Sequence, residues 1–152
     1  MYWMPNTQNM DPTLTLRQGL EVFQQQNAPS FSDTTYSERG TAFLRDHDIA
    51  HVIFGCDTSL YGEGVVKLWT TFGTTLSFGQ VLRGYGDAQA FTLFRGYSVR
   101  HILRHVGRLL RAAPRVIYRA RRMHRPWPFS DYSAYLDLPL ADLRRTFNIR
   151  VI

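Results

Sequence analysis

Cysteine occurs once in the 152 residues, at Cys56, so no internal disulfide can form and the chain suits a reducing compartment. Lysine is equally scarce: Lys67 is the only one, and every other basic side chain is an arginine. No apolar run reaches the roughly 18 residues needed for a membrane-spanning helix. The opening residues MYWMPNTQNMDP carry no basic start, no apolar stretch and no arginine, which fits neither a secretory signal nor a mitochondrial transit peptide. No segment alternates polar and apolar residues over the length of a strand, and there is no internal repeat. Also missing are G-x-S-x-G, a P-loop and a G-x-G-x-x-G after a strand, so hydrolase triads, nucleoside triphosphates and dinucleotides have no support. No flavin or haem motif is visible either.

What is present is helical periodicity in a chain of single-domain length. Leu14, Leu16, Leu20, Val22 and Phe23 after Pro12 predict a first helix ending near Asn27, followed by a polar connector over Ser30 to Thr35. Ser37 and Glu38 open a second helix, and Thr58 or Ser59 caps a third that runs past Trp69 and Phe72 to Gly73-Thr74-Thr75. Ser77 to Phe94 reads as a helix bent near Gly84-Tyr85-Gly86. Ser98 caps a long basic helix that Pro114 should kink or divide, and a short last helix starts near Pro139. The fold class expected is all-α: a compact single-domain bundle of five to six helices over residues 1–152.

The most informative string is His47-Asp48-Ile49-Ala50-His51, followed by eleven residues and Glu63. Residues four apart share a helix face, so His47 and His51 stack one turn apart, with Asp48 on the adjoining edge. Glu63 returns to them if the chain reverses at Gly55-Cys56-Asp57-Thr58 and a second helix runs back beside the first. Two imidazoles and two carboxylates among Phe43, Leu44, Ile49, Val52, Ile53 and Phe54 make a metal site held by a helix pair. The donor set suits Zn²⁺ first, then Mn²⁺, Fe²⁺ or Co²⁺, with Mg²⁺ if water fills its shell. Cys56 reads as a small loop residue and not a fifth ligand.

The string HDIAHVIFGCDTSLYGE resembles the HDxxH-x11-E signature of the ubiquinone-biosynthesis family called coenzyme Q biosynthesis protein 4, complete at His47, Asp48, His51 and Glu63. Gly62, the continuation Val65-Val66-Lys67-Leu68-Trp69, and a closing segment of Leu138 to Arg145 with Asn148-Ile149 are also similar to that family. The front end departs from it: about 40 residues precede the motif where longer members carry more, so residues up to about 35 are atypical. The resemblance implies oxidative decarboxylation at C1 of a prenylated aromatic precursor, through a metal on those four residues. It also implies a polyprenylated aromatic lipid as ligand, other ubiquinone-biosynthesis proteins as partners, and a peripheral place on the cytoplasmic face of a bacterial membrane or on a mitochondrial inner membrane.

Residues 98–125 hold nine arginines and no acid. Val99, Ile102, Leu103, Val106, Leu109, Leu110 and Ala113 form an apolar stripe there, and Arg100, Arg104, Arg108, Arg111 and Arg115 form a second. The arginines read as a solvated face, as a membrane-surface element centred on Arg100, Arg104 and Arg108, or as a nucleic-acid contact. The last has no accompanying motif, and no nucleic-acid partner is expected. His101 and His105 repeat the four-residue spacing but lie among arginines without a carboxylate, so they read as residues of the amphipathic face and not a second metal pair. Phe72, Phe78, Tyr85, Phe91, Phe94 and Tyr97 are candidates for a core or for the lining of an isoprenoid tunnel. Two other functions stay open: a non-catalytic lipid-binding organiser with a structural metal, and an HD-type metal-dependent phosphohydrolase.

Overall fold

The structure is a computed structural model that describes residues 10–27, 37–88 and 96–152. Six α-helices follow one another: α1 Leu16–Asn27, α2 Glu38–Phe54, α3 Leu60–Gly73, α4 Phe78–Asp87, α5 Val99–Arg121 and α6 Leu140–Phe147. A 3-10 turn at Ser133–Tyr135 precedes α6. Among the described residues there is no strand; isolated bridges join Thr15 to Pro139 and Thr74 to Trp127. The fold is an all-α bundle, as the periodicity predicts.

Serine starts four of these helices. Ser37, Ser59, Ser77 and Ser98 each sit in extended backbone and accept a hydrogen bond from an amide in the first turn, satisfying a donor the helix cannot. At α4 the cap is reciprocal, with the Gln80 side chain returning to the Ser77 amide. α2 stops at Gly55, whose φ of 67° is left-handed and open to glycine at little cost. Arg144 of α6 then donates to the carbonyls of Val52 and Ile53 at 2.9 and 3.0 Å, serving acceptors that α2 leaves unpaired.

α2 is the centre of the bundle. Every residue from Asp46 to Phe54 is buried, because α1, α3, α4 and α6 pack around it. A helix enclosed on all sides has no polar face, so its buried stretch does not stand out as an amphipathic stripe. Around it the core is completed by Leu16 and Phe23 of α1, Val66 and Trp69 of α3, Val116 of α5, Trp127, Phe129, and Leu140, Leu143 and Phe147 of α6.

α4 is helical through Gly84-Tyr85-Gly86 and ends at Asp87. Gly84 serves a close approach: a Cβ there would overlap the ring of Phe43. The rest of the expected helix, with Phe91 and Phe94, lies outside the described residues, as does the Ser30 to Thr35 connector. Pro114 does not divide α5. The carbonyl that loses its donor belongs to Leu110, which is 68% exposed, so water can replace the missing amide.

The apolar stripe of α5 does not face the core as a unit. The inner sector is Ile102, His105, Leu109, Ala112, Val116 and Ala120, and it packs on α3 at its N-terminal end. Val99, Leu103, Val106 and Leu110 form a second apolar strip that is exposed, between the core sector and the arginines. The N-terminal half of α5 therefore leans on α3 along one narrow edge.

Candidate metal centre

His47 and His51 come from the buried middle of α2, and Glu63 from the first turn of α3. The chain reverses between them through Asp57, which accepts from the Ser59 amide and hydroxyl at 3.1 and 2.5 Å. Gly62 is required at that turn: a Cβ would overlap Asp57 Oδ1 and the Asp57 carbonyl. The tight reversal brings Glu63 down onto the histidine pair.

The ligand atoms form a small triangle. His51 Nε2 lies 3.1 Å from His47 Nε2 and 3.0 Å from Glu63 Oε1, and His47 Nε2 lies 3.3 Å from Glu63 Oε2. A tetrahedral Zn²⁺ with bonds of about 2.0–2.1 Å has ligand-to-ligand edges of about 3.3 Å. The two imidazole nitrogens and the Glu63 carboxylate thus lie within reach of one ion, their donor atoms within 4.8 Å of one another, and they are the His/Cys/Asp/Glu group among the described residues that could hold a metal ion.

The opposite ring nitrogens settle which lone pairs face that centre. His51 Nδ1 is 2.9 Å from the Cys56 carbonyl, which can only accept, so Nδ1 carries a proton and the neutral ring has its lone pair on Nε2. His47 Nδ1 is 3.3 Å from Tyr85 Oη, and Tyr85 donates its own hydroxyl to Thr70 Oγ1 at 3.2 Å. Thr70 in turn donates to the Val66 carbonyl at 2.8 Å. The chain of donors runs one way, from His47 through Tyr85 and Thr70 to a backbone acceptor, and leaves His47 Nε2 unprotonated. Partners of this kind orient metal-binding imidazoles and raise their basicity. Phe23 stacks on His51 at 5.1 Å between ring centres, and Phe43 lies against His47 and edge-on to Tyr85.

Burial and mutual charge set the protonation of the cluster. Burial drives the His47 pKa down to about 4, favouring the neutral ligand form. Burial also acts to raise Glu63, but His51 and His47 outweigh it and hold the carboxyl well below its usual range. For His51 burial is opposed by Glu63, the Cys56 carbonyl and Asp48, and the net shift is upward. Without an ion, the proton that keeps two imidazoles and a carboxylate together rests on His51.

Asp48 does not join the triangle. It is buried, its Oδ2 accepts from Gln24 Nε2 of α1 at 3.3 Å, and burial raises its pKa to about 6. The structure thus brings together three of the four residues of the sequence motif. Cys56 contributes its backbone carbonyl; its thiol faces the Phe54 carbonyl, and burial pushes its pKa up. Tyr85 and Thr70 were not legible as site residues, since an aromatic and a threonine in separate helices carry no spacing signal. Asp46, buried and accepting from Tyr132 at 2.9 Å, was equally hidden.

An apolar cleft of about 220 Å³ opens beside the centre, between α3 and α5. Its walls include Leu60, Leu68, Ile102 and Leu109, and Glu63 is part of its lining. Gly64 lets Leu109 close to within 2.9 Å of where a Cβ would stand, which sets how near the helices come. Lys67 also lines the cleft, with Nζ 3.5 Å from Glu63 Oε2 and over the Tyr85 ring. Of the aromatic residues considered for a tunnel, Phe72, Phe78 and Tyr97 are exposed and Tyr85 is engaged with His47, while Phe91 and Phe94 lie outside the described residues. The α3–α5 cleft itself has mainly aliphatic walls.

Arg100, Arg104 and Arg108 are all exposed. They are not equivalent, because Arg108 stacks on the Tyr61 ring at 4.5 Å. His101 and His105 stack on each other at 4.4 Å with no carboxylate joining them as a metal group. No helix among the described residues is long and apolar enough to cross a membrane. Protein-family models, curated proteins and solved structures give no match to this chain, so its functional reading rests on the site and on the motif string.

Proposed function

We propose that this protein is a metal-dependent enzyme of ubiquinone biosynthesis that replaces the C1 carboxylate of a prenylated aromatic acid by a hydroxyl, at a membrane surface. The observation that carries the reading is the three-donor triangle of His47, His51 and Glu63 beside an apolar cleft. Three protein donors leave a tetrahedral ion one position for water or substrate, which is the pattern of catalytic sites, whereas structural sites are closed. The HDxxH-x11-E resemblance supplies the reaction class.

A divalent ion, when bound, supplies Lewis acidity toward the substrate carboxylate or its neighbouring phenolic oxygen. The chain's own residues do the rest. The Cys56 carbonyl and Tyr85 fix the two imidazoles, Lys67 adds positive charge beside Glu63, and the aliphatic cleft walls take the apolar body and exclude water. The exchange releases CO₂ and is a two-electron oxidation, so dioxygen supplies both oxidant and hydroxyl oxygen, or an electron-accepting partner takes the electrons while water supplies the oxygen. Exposed Val99, Leu103 and Leu110 beside Arg100 and Arg104 support attachment to an anionic bilayer, with arginines at the headgroups and the apolar strip in the interface.

The burial of the triangle favours a second reading, an organiser of the biosynthetic complex in which the ion only joins α2 to α3. HD-type phosphohydrolysis ranks below both, because no further His/Asp group accompanies the triangle among the described residues. The test is chemical. In cells unable to make ubiquinone for want of this protein, a prenylated precursor retaining its C1 carboxylate should accumulate. Wild-type protein should clear it and folded Glu63→Gln should not. Normal ubiquinone synthesis with folded Glu63→Gln would leave only the organiser.

A further inference from the structure

Lysine occurs once in this chain, and the fold sets it at an apolar cavity: Lys67 lines the α3–α5 cleft with Leu60, Leu68, Ile102 and Leu109. It is the one lysine or arginine among the described lining residues. An ammonium is a compact, strongly hydrated charge with three donors, and beside hydrocarbon it needs an anion. Glu63 serves it poorly. The Nζ to Oε2 distance is 3.5 Å, the outer limit of a hydrogen bond. Both oxygens of that carboxylate are held closer by the histidines, at 3.0 Å from His51 and 3.3 Å from His47. Tyr85 offers only its ring face, 5.1 Å from Nζ. The Lys67 side chain is 33% exposed against 15% for Glu63, so the cation is the more open of the pair to a molecule in the cleft.

We propose that Lys67 is the specificity-determining residue of the cleft: its ammonium binds the carboxylate head of an amphiphile whose hydrocarbon body lies between α3 and α5. The proposal rests on the reading of the cleft as the substrate site and adds the residue that selects the ligand. Leu60, Leu68, Ile102 and Leu109 carry no polar side-chain atom for a second head, so a molecule with one polar end fits and a uniformly polar one does not. Hydrogen bonds between ions are about twice as strong as those between neutral groups, so Lys67 separates a carboxylate from an alcohol on the same chain. The four-carbon stem packs along the apolar wall and leaves only the head for recognition.

The experiment uses the full chain with one equivalent of zinc and two probes of equal chain length, octanoate and octanol, with binding followed by calorimetry. In Lys67→Met the ratio of octanoate to octanol affinity should fall roughly tenfold, the value of one hydrogen bond to a charged group, with octanol binding kept. Lys67→Arg, which restores the charge, should recover most of the ratio. A second readout needs no variant. Protein labelled with ¹⁵N-lysine has a single side-chain ammonium resonance from this sequence, and octanoate should shift it far more than octanol does. An unchanged ratio in Lys67→Met, or a resonance that stays put while octanoate binds, overturns the role of Lys67 and leaves the cleft reading intact. Binding of neither probe by the wild type overturns the cleft reading, and this inference with it.

Discussion

The Nε2 atoms of His47 and His51 lie 3.1 Å apart, and the other nitrogen of each ring is already engaged, by Tyr85 and by the Cys56 carbonyl. Two lone pairs cannot rest at that distance without a shared cation or proton. With Glu63 as third donor the pair could hold a metal ion, and purified protein is expected to contain one equivalent of divalent metal. His47→Ala, His51→Ala and Glu63→Ala should each lose it, while His101→Ala and His105→Ala keep it. Elemental analysis decides, and tight one-equivalent metal in His51→Ala would show the donor set to be wrong.

Tyr85→Phe removes one hydroxyl and keeps the ring against Phe43. His47 Nδ1 then loses its acceptor and the imidazole its orientation. Loss of such a supporting partner typically costs 10–100-fold in metal affinity. Competition with a chelator of known affinity measures it. Unchanged affinity would mean that the Tyr85–Thr70 relay is only packing.

Asp48 gives a pH signature. Its folded pKa, raised by burial to about 6 from 3.8, means that its contribution to stability is fully present below about pH 3.8. That contribution is lost as pH rises through about 6. In metal-free protein, Asp48→Asn should leave the melting temperature nearly unchanged at pH 4 and raise it by a few degrees at pH 8. Thermal unfolding at the two pH values tests this. A lower melting temperature for Asp48→Asn at pH 8 would place a cation on that carboxylate after all.

Gly62→Ala should lower both stability and metal occupancy, since its Cβ overlaps Asp57 and must push the first turn of α3, with Glu63, away from the histidines. A loss of about 1–3 kcal/mol is expected for such overpacking. Gly79→Ala is the control, because nothing lies within 4 Å of its added methyl. Parallel denaturant titrations and metal analysis should separate the two.

For the membrane surface, Arg100, Arg104 and Arg108 changed together to Gln should lose roughly 3 kcal/mol of binding to anionic vesicles, at about 1 kcal/mol per charge. High salt should act in the same direction on the wild type. Leu103→Gln with Leu110→Gln should weaken binding as well, independently of salt, since those side chains are 65% and 68% exposed. Vesicle sedimentation that cannot tell the variants from wild type would reduce the stripe to a solvated face.

The sequence by itself marked the helix starts and named all three donors of the metal centre, along with Asp48, which stays outside it. Serine caps, glycine stops and apolar spacing act within a few residues, so Ser37, Ser59, Ser77 and Ser98 mark helix starts without knowledge of the fold. The i, i+4 relation of His47 and His51 is likewise a property of one helix. Tertiary structure decided everything that depends on which faces meet. Only packing could show that Asp48, one residue round the helix, turns to Gln24 while Glu63 arrives from α3. Only packing could show that Tyr85 completes the site, that half of the α5 apolar stripe stays in water, and that Lys67 lines the cleft. The physical reason is range: backbone capping and helical phase are local, whereas burial is a property of neighbours that lie far away in the chain.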